Sequence, residues 1–483
     1  MCGRYRLAAA SGELVFARLF VKTLIPKGRA FVPTGKKIHF MGAGGIGVSA
    51  LALLARDAGN TVTACDRCGN AMTKALESAG IAVAIGHDPS HVGDVDLLVH
   101  TSAVGKGHPE ITAAPAAESR GAFLARLMER RESWGVSGTH GKTTTTWLLA
   151  SILIAAGRDP TVFVGGVVPD MDGRNYRIGK GPFVAELDES DGSFLLPRLD
   201  VAVVTNVESE HLSHYGTDAA LFAAFSRFAE AVADGGLLVL GTDNFVCREM
   251  YAAHTGKKLS FGLGPEADLS AANVHEGDSG ALFDVLRDGK SLGRFALQFS
   301  GTHNVQNALA ALAAAVGMGV DVECARAALA KARGVERRME RVGNCGGAAL
   351  YSDYAHHPTE VAAAIAAFRQ RHPGETLVVF QPHLYSRTRD YADAFGAALG
   401  AADRVLLLDI YPAREQAIPG VDASLLAAGA ALRGTRVNGP VPIFKAAEEI
   451  GRLARGCEAV VMMGAGDIDA LAREIARCNR QET

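Results

Sequence analysis

Two rhythms alternate along this chain from Lys37 onward. Short apolar or β-branched runs of strand length are followed by glycine-rich or polar loops, and the loops lead into alanine-rich stretches with helical spacing. The runs predict strands at Ile38–Met41, Thr61–Cys65, Val95–Val99, Trp134–Val136, Pro182–Ala185, Val201–Val204 and Gly235–Leu240. Residues 259–300 read as shorter strands and turns. Further strands are predicted at Ala348–Ser352, Thr376–Phe380, Arg404–Leu408, Pro442–Phe444 and Ala459–Met463. Helices are predicted over Val48–Ala58, Gly121–Met128 and Thr144–Ala156, and along the alanine-rich run after Gly301 that ends near Val316. Strands alternating with helices imply βαβ units and parallel sheets. The reading is α/β with three domains: a Rossmann-like N-terminal domain (36–131), a P-loop ATPase central domain (132–335) and a Rossmann-like C-terminal domain (336–483). Residues 1–35 read as a flexible extension with a short amphipathic helix at Leu14–Phe20.

The loops between these elements carry the chemistry. Gly138-Thr139-His140-Gly141-Lys142-Thr143-Thr144 lies between a strand and a helix. Glycines there let backbone N–H groups converge at a helix N-terminus, where the helix dipole also favours an anion. Lys142 adds a charge within reach of terminal phosphates, and the Thr143 hydroxyl is placed to ligate Mg²⁺. Val136 stands where the longer G-x-x-x-x-G-K-[ST] pattern has its first glycine. Glu186 ends the next strand, with Asp188, Glu189 and Asp191 beyond it, and is the predicted second Mg²⁺ ligand. His211 follows the strand Val201–Val204. Loops at the carboxyl ends of neighbouring strands share one face, so Lys142, Thr143, Glu186 and His211 are expected to converge.

Earlier in the chain, Gly42-Ala43-Gly44-Gly45-Ile46-Gly47 fits G-x-G-x-x-G between strand and helix, and Asp66 ends the next strand. That pattern offers amides to a pyrophosphate and an acid to a ribose. His87 and the loop containing Ser102 are candidate ligand contacts. In the last domain, four polar clusters sit just past strand ends: Asp353–Pro358, Gln381–Thr388, Asp409–Glu415 and Gly464–Asp467. Together they read as one binding face. Gly334–Glu340, dense in charge, reads as an interdomain hinge.

Composition narrows the classes. A net charge of −3 over 483 residues excludes a nucleic-acid binder that works by broad phosphate neutralisation. No apolar run reaches the roughly 18 residues needed to span a bilayer, so no membrane insertion is expected. Eight scattered cysteines suit a reducing compartment, and a cytoplasmic location follows. Cys65-x-x-Cys68 has no second pair and reads as two incidental thiols. A dehydrogenase built on the first domain leaves Lys142 and Thr143 unexplained. A nucleotide-binding regulator without catalysis fits poorly with intact Glu186 and His211.

At these residues the sequence resembles the Mur ligase family, over about nine-tenths of its length from Lys37 on. The resemblance rests on Gly42–Gly47, Gly138–Thr146, Glu186–Phe194 and Thr205–His211. Asp353-Tyr354-Ala355-His356-His357-Pro358-Thr359-Glu360, Gln381-Pro382-His383, Tyr385–Thr388 and Asp409–Ala413 resemble the alanine-adding branch. The resemblance implies an ATP- and Mg²⁺-dependent ligase that joins L-alanine to the lactoyl carboxylate of UDP-N-acetylmuramate through an acyl phosphate, in peptidoglycan precursor synthesis, working as a monomer or homodimer. It assigns Gly42, Gly44, Gly45, Ile46, Gly47, Asp66, His87 and Ser102 to the UDP substrate. ATP falls to Gly138, Thr139, His140, Gly141, Lys142, Thr143, Thr144, His303, Asn304, Asn307, Arg338 and Asp353. Thr143, Glu186 and His211 match the metal ligands, and Tyr354, His356, His383 and Arg387 match the alanine pocket. Lys142, Glu186, His211 and Arg387 take the catalytic roles. Two positions depart from the pattern. Leu384 stands where many relatives carry a second arginine, and Glu210 replaces the aspartate usual before the histidine.

Overall fold

Three sheets, each drawn from a contiguous stretch of chain, organise the protein. The computed structural model describes residues 34–479 apart from Lys106, 278–279 and Arg414, so the expected N-terminal extension and its helix lie outside the described residues.

The first sheet has five parallel strands in the spatial order Ala82–Ile85, Thr61–Asp66, Lys37–Met41, Leu97–His100, Ala117–Ser119. Strand order reverses beside Lys37–Met41. The glycine loop 42–45 leaves that strand and enters the helix Ile46–Asp57. The second sheet has ten strands. Its parallel middle runs Val232–Gly241, Leu199–Val204, Ser133–Ser137, Phe183–Glu186, Thr161–Val168. Residues 269–297 add an antiparallel meander at one edge. The third sheet has six strands, in the order Glu340–Cys345, Ala348–Asp353, Ala459–Met463, Thr376–Phe380, Arg404–Leu408, Arg436–Val441.

Side-chain size sets the packing in the middle layer. The helix Lys142–Ala155 is apolar on nearly all sides because it is covered both by the sheet and by the helix Thr302–Gly317. In the latter, Ala308, Ala310, Ala311, Ala313, Ala314 and Ala315 are all buried, and such small side chains let the two helices approach closely. Gly135, in the strand beneath, faces the opposite side of the sheet, where a Cβ would lie 2.5 Å from Leu187 Cδ1.

The outer strands differ from expectation. Pro442–Phe444 is not a strand. The sixth strand is Arg436–Val441, Pro442 caps a helix over Ile443–Ala454, and Phe444 is exposed. Arg436–Val441 is an edge strand, where polar residues, glycine and proline are tolerated, so it carries no apolar run to betray it. Ala82–Ile85, Ala117–Ser119, Thr161–Val168, Arg174–Arg177 and Glu340–Cys345 were also not expected; four of these five lie at sheet edges. Among the described residues, no helix is long and apolar enough to cross a membrane.

The turn Ser193–Leu195 joins the first two layers, with Phe194 as its anchor in the second. Phe194 stacks on Phe228 at 5.2 Å and meets Phe225 edge-on at 5.1 Å, while its neighbour Ser193 fills the space above Gly121. Phe194→Ala is expected to cost about 3–5 kcal/mol of stability, read as a lower urea midpoint. An unchanged midpoint would show that the loop before it is not anchored there.

Candidate active site

The loop after Ser133–Ser137 is shaped by two positive-φ glycines. Gly138 has φ +132° and packs against Thr205; Gly141 has φ +81° and caps the helix Lys142–Ala155. A Cβ at Gly141 would lie 2.2 Å from Asn307 Oδ1. The exit of the adjacent strand holds the loop in place. Thr139 N donates to Asn206 O (2.9 Å), His140 N donates to Asn206 Oδ1 (2.8 Å), and the Thr205 hydroxyl donates to His140 O (2.6 Å).

Lys142 folds back over this loop. Its Nζ donates to Gly138 O (2.5 Å) and Thr139 O (2.9 Å) and pairs with Glu189 at 3.0 Å. Burial opposes its charge, but Glu189, Asp188 and Glu186 together hold the ammonium well above its ordinary range. Glu186 accepts from Gly165 N at 2.6 Å and bonds the Thr143 hydroxyl. Burial pushes its carboxyl up, against the pull of Lys142. For Asp188 the balance is reversed: burial opposes, but Lys142 and Arg120 hold it below the usual range. His211, at φ +57°, lies 3.4 Å from Glu189. Burial acts against its protonation, and Glu189 and Glu210 raise it nonetheless. Donor atoms of Asp188, Glu189 and His211 all lie within 4.8 Å of one another.

Two cavities meet at the loop. One, of about 340 Å³, lies between Gly141, the start of Thr302–Gly317 and the hinge, with His303, Asn304, Asn307, Arg338, Asp353 and Glu360 in its wall. Burial and the nearby Arg338 hold His303 at about 4, neutral at physiological pH. Asp353 caps the hinge by accepting from Ala355 N (2.7 Å) and Met339 N (2.8 Å). Arg337 and Met339 both have positive φ, and the Arg337 and Arg338 guanidinium groups lie over the Tyr354 ring. The other cavity, of about 680 Å³, brings Gly44 and Ile46 of the first layer to Lys142, Thr143, Glu186 and His211, with Tyr354 and His356 of the third layer opposite.

Several expected residues do not line these cavities. Gly42 packs against Thr101 and Gly47 against Arg120, while Gly45 contributes its carbonyl to the following helix. Asp66 accepts from Gly44 N at 2.7 Å, and Ser102 sits exposed in a turn. His87 faces Cys65 and Glu110 instead. Arg387 donates to Glu210 Oε1 at 2.7 Å and lies 3.3 Å from His383; both stand behind His356, whose ring is 6.0 Å from that of His383. Burial opposes ionisation of Glu210, but Arg387 holds it at about 2.

Sequence reasoning passed over the contacts that bind the third layer to the second. His140 lies 3.2 Å from Glu360 and 3.4 Å from Glu208. Thr359 donates to Glu208 (2.6 Å), and the Tyr391 hydroxyl donates to Ser209 O (2.9 Å). Glu189 was visible as one of three acids after the strand that ends at Glu186, but spacing does not say which acid turns inward. Glu208 and Glu360 stood inside recognisable motifs with no local sign that they would meet.

The chain as folded is matched by three family models: Mur ligase family, catalytic domain, over residues 37–132; Mur ligase middle domain over 136–315; and Mur ligase, glutamate ligase domain over 337–466. The chain belongs to the Mur ligase family, and is an ATP-dependent ligase. Among its relatives, the UDP-N-acetylmuramate–L-alanine ligase of Gluconacetobacter diazotrophicus is 40% identical over 451 residues, 91% of this chain and 94% of that one. The enzyme of the same name from Burkholderia cenocepacia is 39% identical over 465 residues, 92% of this chain and 99% of its own. The crystal structure of UDP-N-acetylmuramate–alanine ligase from Thermotoga maritima superposes with a TM-score of 0.80 at 28% identity, covering 93% of this chain and all of that one. A murein peptide ligase from Psychrobacter arcticus gives 0.68 at 25% identity, covering 91% and 98%.

The His140 contacts give the docking of the third layer on the second a pH dependence. Burial disfavours the imidazolium, but Glu208 and Glu360 outweigh it and raise His140 from 6.5 to about 9. A raised value means that the stabilisation is complete below pH 6.5 and is lost as pH rises through about 9. Small-angle scattering is expected to show a larger radius of gyration above that value, and His140→Gln should remove the step. A radius constant through pH 10 would contradict the assignment.

Proposed function

We propose that this chain joins L-alanine to the lactoyl carboxylate of UDP-N-acetylmuramate at the expense of ATP, releasing ADP and phosphate. One observation carries the reading: Lys142 faces a cavity to which the first layer contributes Gly44 and Ile46 and the third contributes Tyr354 and His356. A phosphate donor, a sugar-linked acid and an amine therefore have separate approaches to one point. Residues 36–131 would hold the UDP substrate, 132–335 the ATP and 336–483 the amino acid.

A carboxylate does not condense with an amine until it carries a leaving group. The lactoyl oxygen attacks the γ-phosphorus, the bond to the β-γ bridging oxygen breaks, and ADP leaves. The alanine nitrogen then adds to the acyl carbon, the tetrahedral intermediate expels phosphate, and the nitrogen loses a proton. The protein supplies position and charge. Lys142 and the amides of Gly138–Thr143 would cradle the phosphates. The smaller cavity would take the adenosine against His303, Asn304 and Asn307, with Arg338 and Asp353 beside it. Thr143, Glu186 and His211 would hold Mg²⁺, and the oxygen-rich surroundings of Asp188 and Glu189 suit such a hard cation. When bound, the ion would neutralise charge gathering on the phosphates. Tyr354, His356, His383 and Arg387 would receive alanine. Arg387 already pairs with Glu210, so the amino-acid carboxylate would share that guanidinium.

Mixing the protein with ATP, Mg²⁺ and UDP-N-acetylmuramate is expected to release phosphate only when an amino acid is added, and fastest with L-alanine. Release requiring a preformed peptide would favour the recycling reaction of the murein peptide ligases. Lys142→Ala is expected to keep the far-ultraviolet spectrum and lower kcat by about 10²- to 10³-fold. Unchanged turnover would remove Lys142 from the reaction.

A further inference from the structure

The first domain holds a cluster that the ligase chemistry does not use. His39, Cys65, His91 and Glu110 each present one donor atom, and these atoms all lie within 4.8 Å of one another. They come from two adjacent strands, the short helical turn Pro89–Val92 and the helix Pro109–Ala113. Glu110 and Cys65 are fully buried. Glu110 Oε1 lies 2.7 Å from His91 Nδ1, and the Cys65 thiol donates to Glu110 Oε2 at 3.5 Å.

His39 is the telling member. It is 2% exposed; its Nδ1 sits 2.8 Å from the Thr63 hydroxyl, and its Nε2 is buried with no hydrogen-bond partner. The His39 and His91 rings are 5.7 Å apart, and His39 offers one ring nitrogen to the cluster. A buried nitrogen without a partner demands an explanation. If Thr63 accepts from Nδ1–H, the Nε2 lone pair is left free, which is how metal-bound imidazoles are oriented by a neighbouring group.

We propose that His39, Cys65, His91 and Glu110 form a binding site for a borderline-soft divalent cation, with zinc the best match. Two nitrogens, a sulfur and one carboxylate oxygen are a zinc donor set; Mg²⁺ and Ca²⁺ prefer oxygen throughout. Four donors complete a tetrahedral shell and leave no open position, so the site is structural. Ligand atoms in a tetrahedral zinc shell lie about 3.4 Å apart, so the wider pairs must draw in while Glu110 and His91, now 2.7 Å apart, must open, a side-chain adjustment. His87 and His108 flank the site, with rings 5.1 Å apart. Cys68, the other half of the C-x-x-C pair, is exposed and takes no part. The site would brace the glycine loop, because Cys65 O accepts from Gly42 N (2.9 Å) and Ala43 N (3.0 Å). Burial and Glu110 push the Cys65 thiol up, so loading displaces a proton.

The test uses the full chain stripped with a chelator, then titrated with Zn²⁺ against a chromophoric competitor and separately with Co²⁺. One tightly held equivalent is expected, with proton release and a thiolate-to-cobalt charge-transfer band that Cys65→Ser abolishes. Thr63→Val, which keeps all four ligands, is expected to weaken zinc about 10- to 100-fold. His211→Ala, in the Asp188–Glu189–His211 group, is expected to leave that equivalent in place. Absence of a tight equivalent, or an equivalent kept by Cys65→Ser with its cobalt spectrum unchanged, or one lost with His211→Ala instead, would overturn the proposal.

Discussion

A buried ammonium surrounded by carboxylates organises the centre of this molecule. Lys142 has 14% of its side chain exposed and Glu189 has 1%. Removing one partner from such a pair costs about 3–5 kcal/mol, because the other charge is left uncompensated. Glu186 and Asp188 add further negative charge within its reach. The surplus of negative charge would suit the proposed binding of a metal ion beside the phosphates of ATP. Lys142 donates to two loop carbonyls and to Glu189. Binding would exchange those partners for phosphate oxygens while leaving the backbone cradle where it is.

The other layers take their positions from that centre. The loop Glu186–Asp191 is pinned from below by Phe194 and from the side by Arg120, which lies 3.8 Å from Asp188. Glu208, Ser209 and Glu210 leave the next strand and meet Thr359, Tyr391 and Arg387 of the third layer. The segment that helps hold the loop Gly138–Gly141 thus also docks the third layer. Arg337 and Met339, both in left-handed backbone geometry, lie at the hinge between the layers. Such geometry is costly outside glycine and is held here by Asp353 and by Glu340, which accepts from Arg337 N.

Much of this was legible in the sequence, for identifiable reasons. Thr376–Phe380, Arg404–Leu408 and Ala459–Met463 were read to the residue because central parallel strands are buried on both faces and must be continuously apolar. Arg436–Val441 escaped because an edge strand has no such obligation. Lys142, Thr143, Glu186 and His211 converge because all leave the carboxyl ends of adjacent parallel strands, a rule of topology that needs no coordinates. Glu189 in contact with Lys142, Glu360 against His140, and His87 turned toward Cys65 depend on loop conformation and long-range docking. No local pattern encodes them. The glycine loop of the first layer was legible as a motif, yet only Gly44 and Ile46 of it reach the shared cavity, because Gly42 packs on Thr101 and Gly47 on Arg120, and Asp66 already satisfies Gly44 N.

The central claim is that the phosphoryl group is handed over at Lys142. A crystal structure with a non-hydrolysable ATP analogue tests it most directly. The account expects the terminal phosphate within hydrogen-bond reach of Lys142 Nζ and the amides of Gly141–Thr143, with the adenine in the cavity beside His303 and Asn304. A nucleotide seated elsewhere, with Lys142 still paired to Glu189 and the two loop carbonyls, would contradict it.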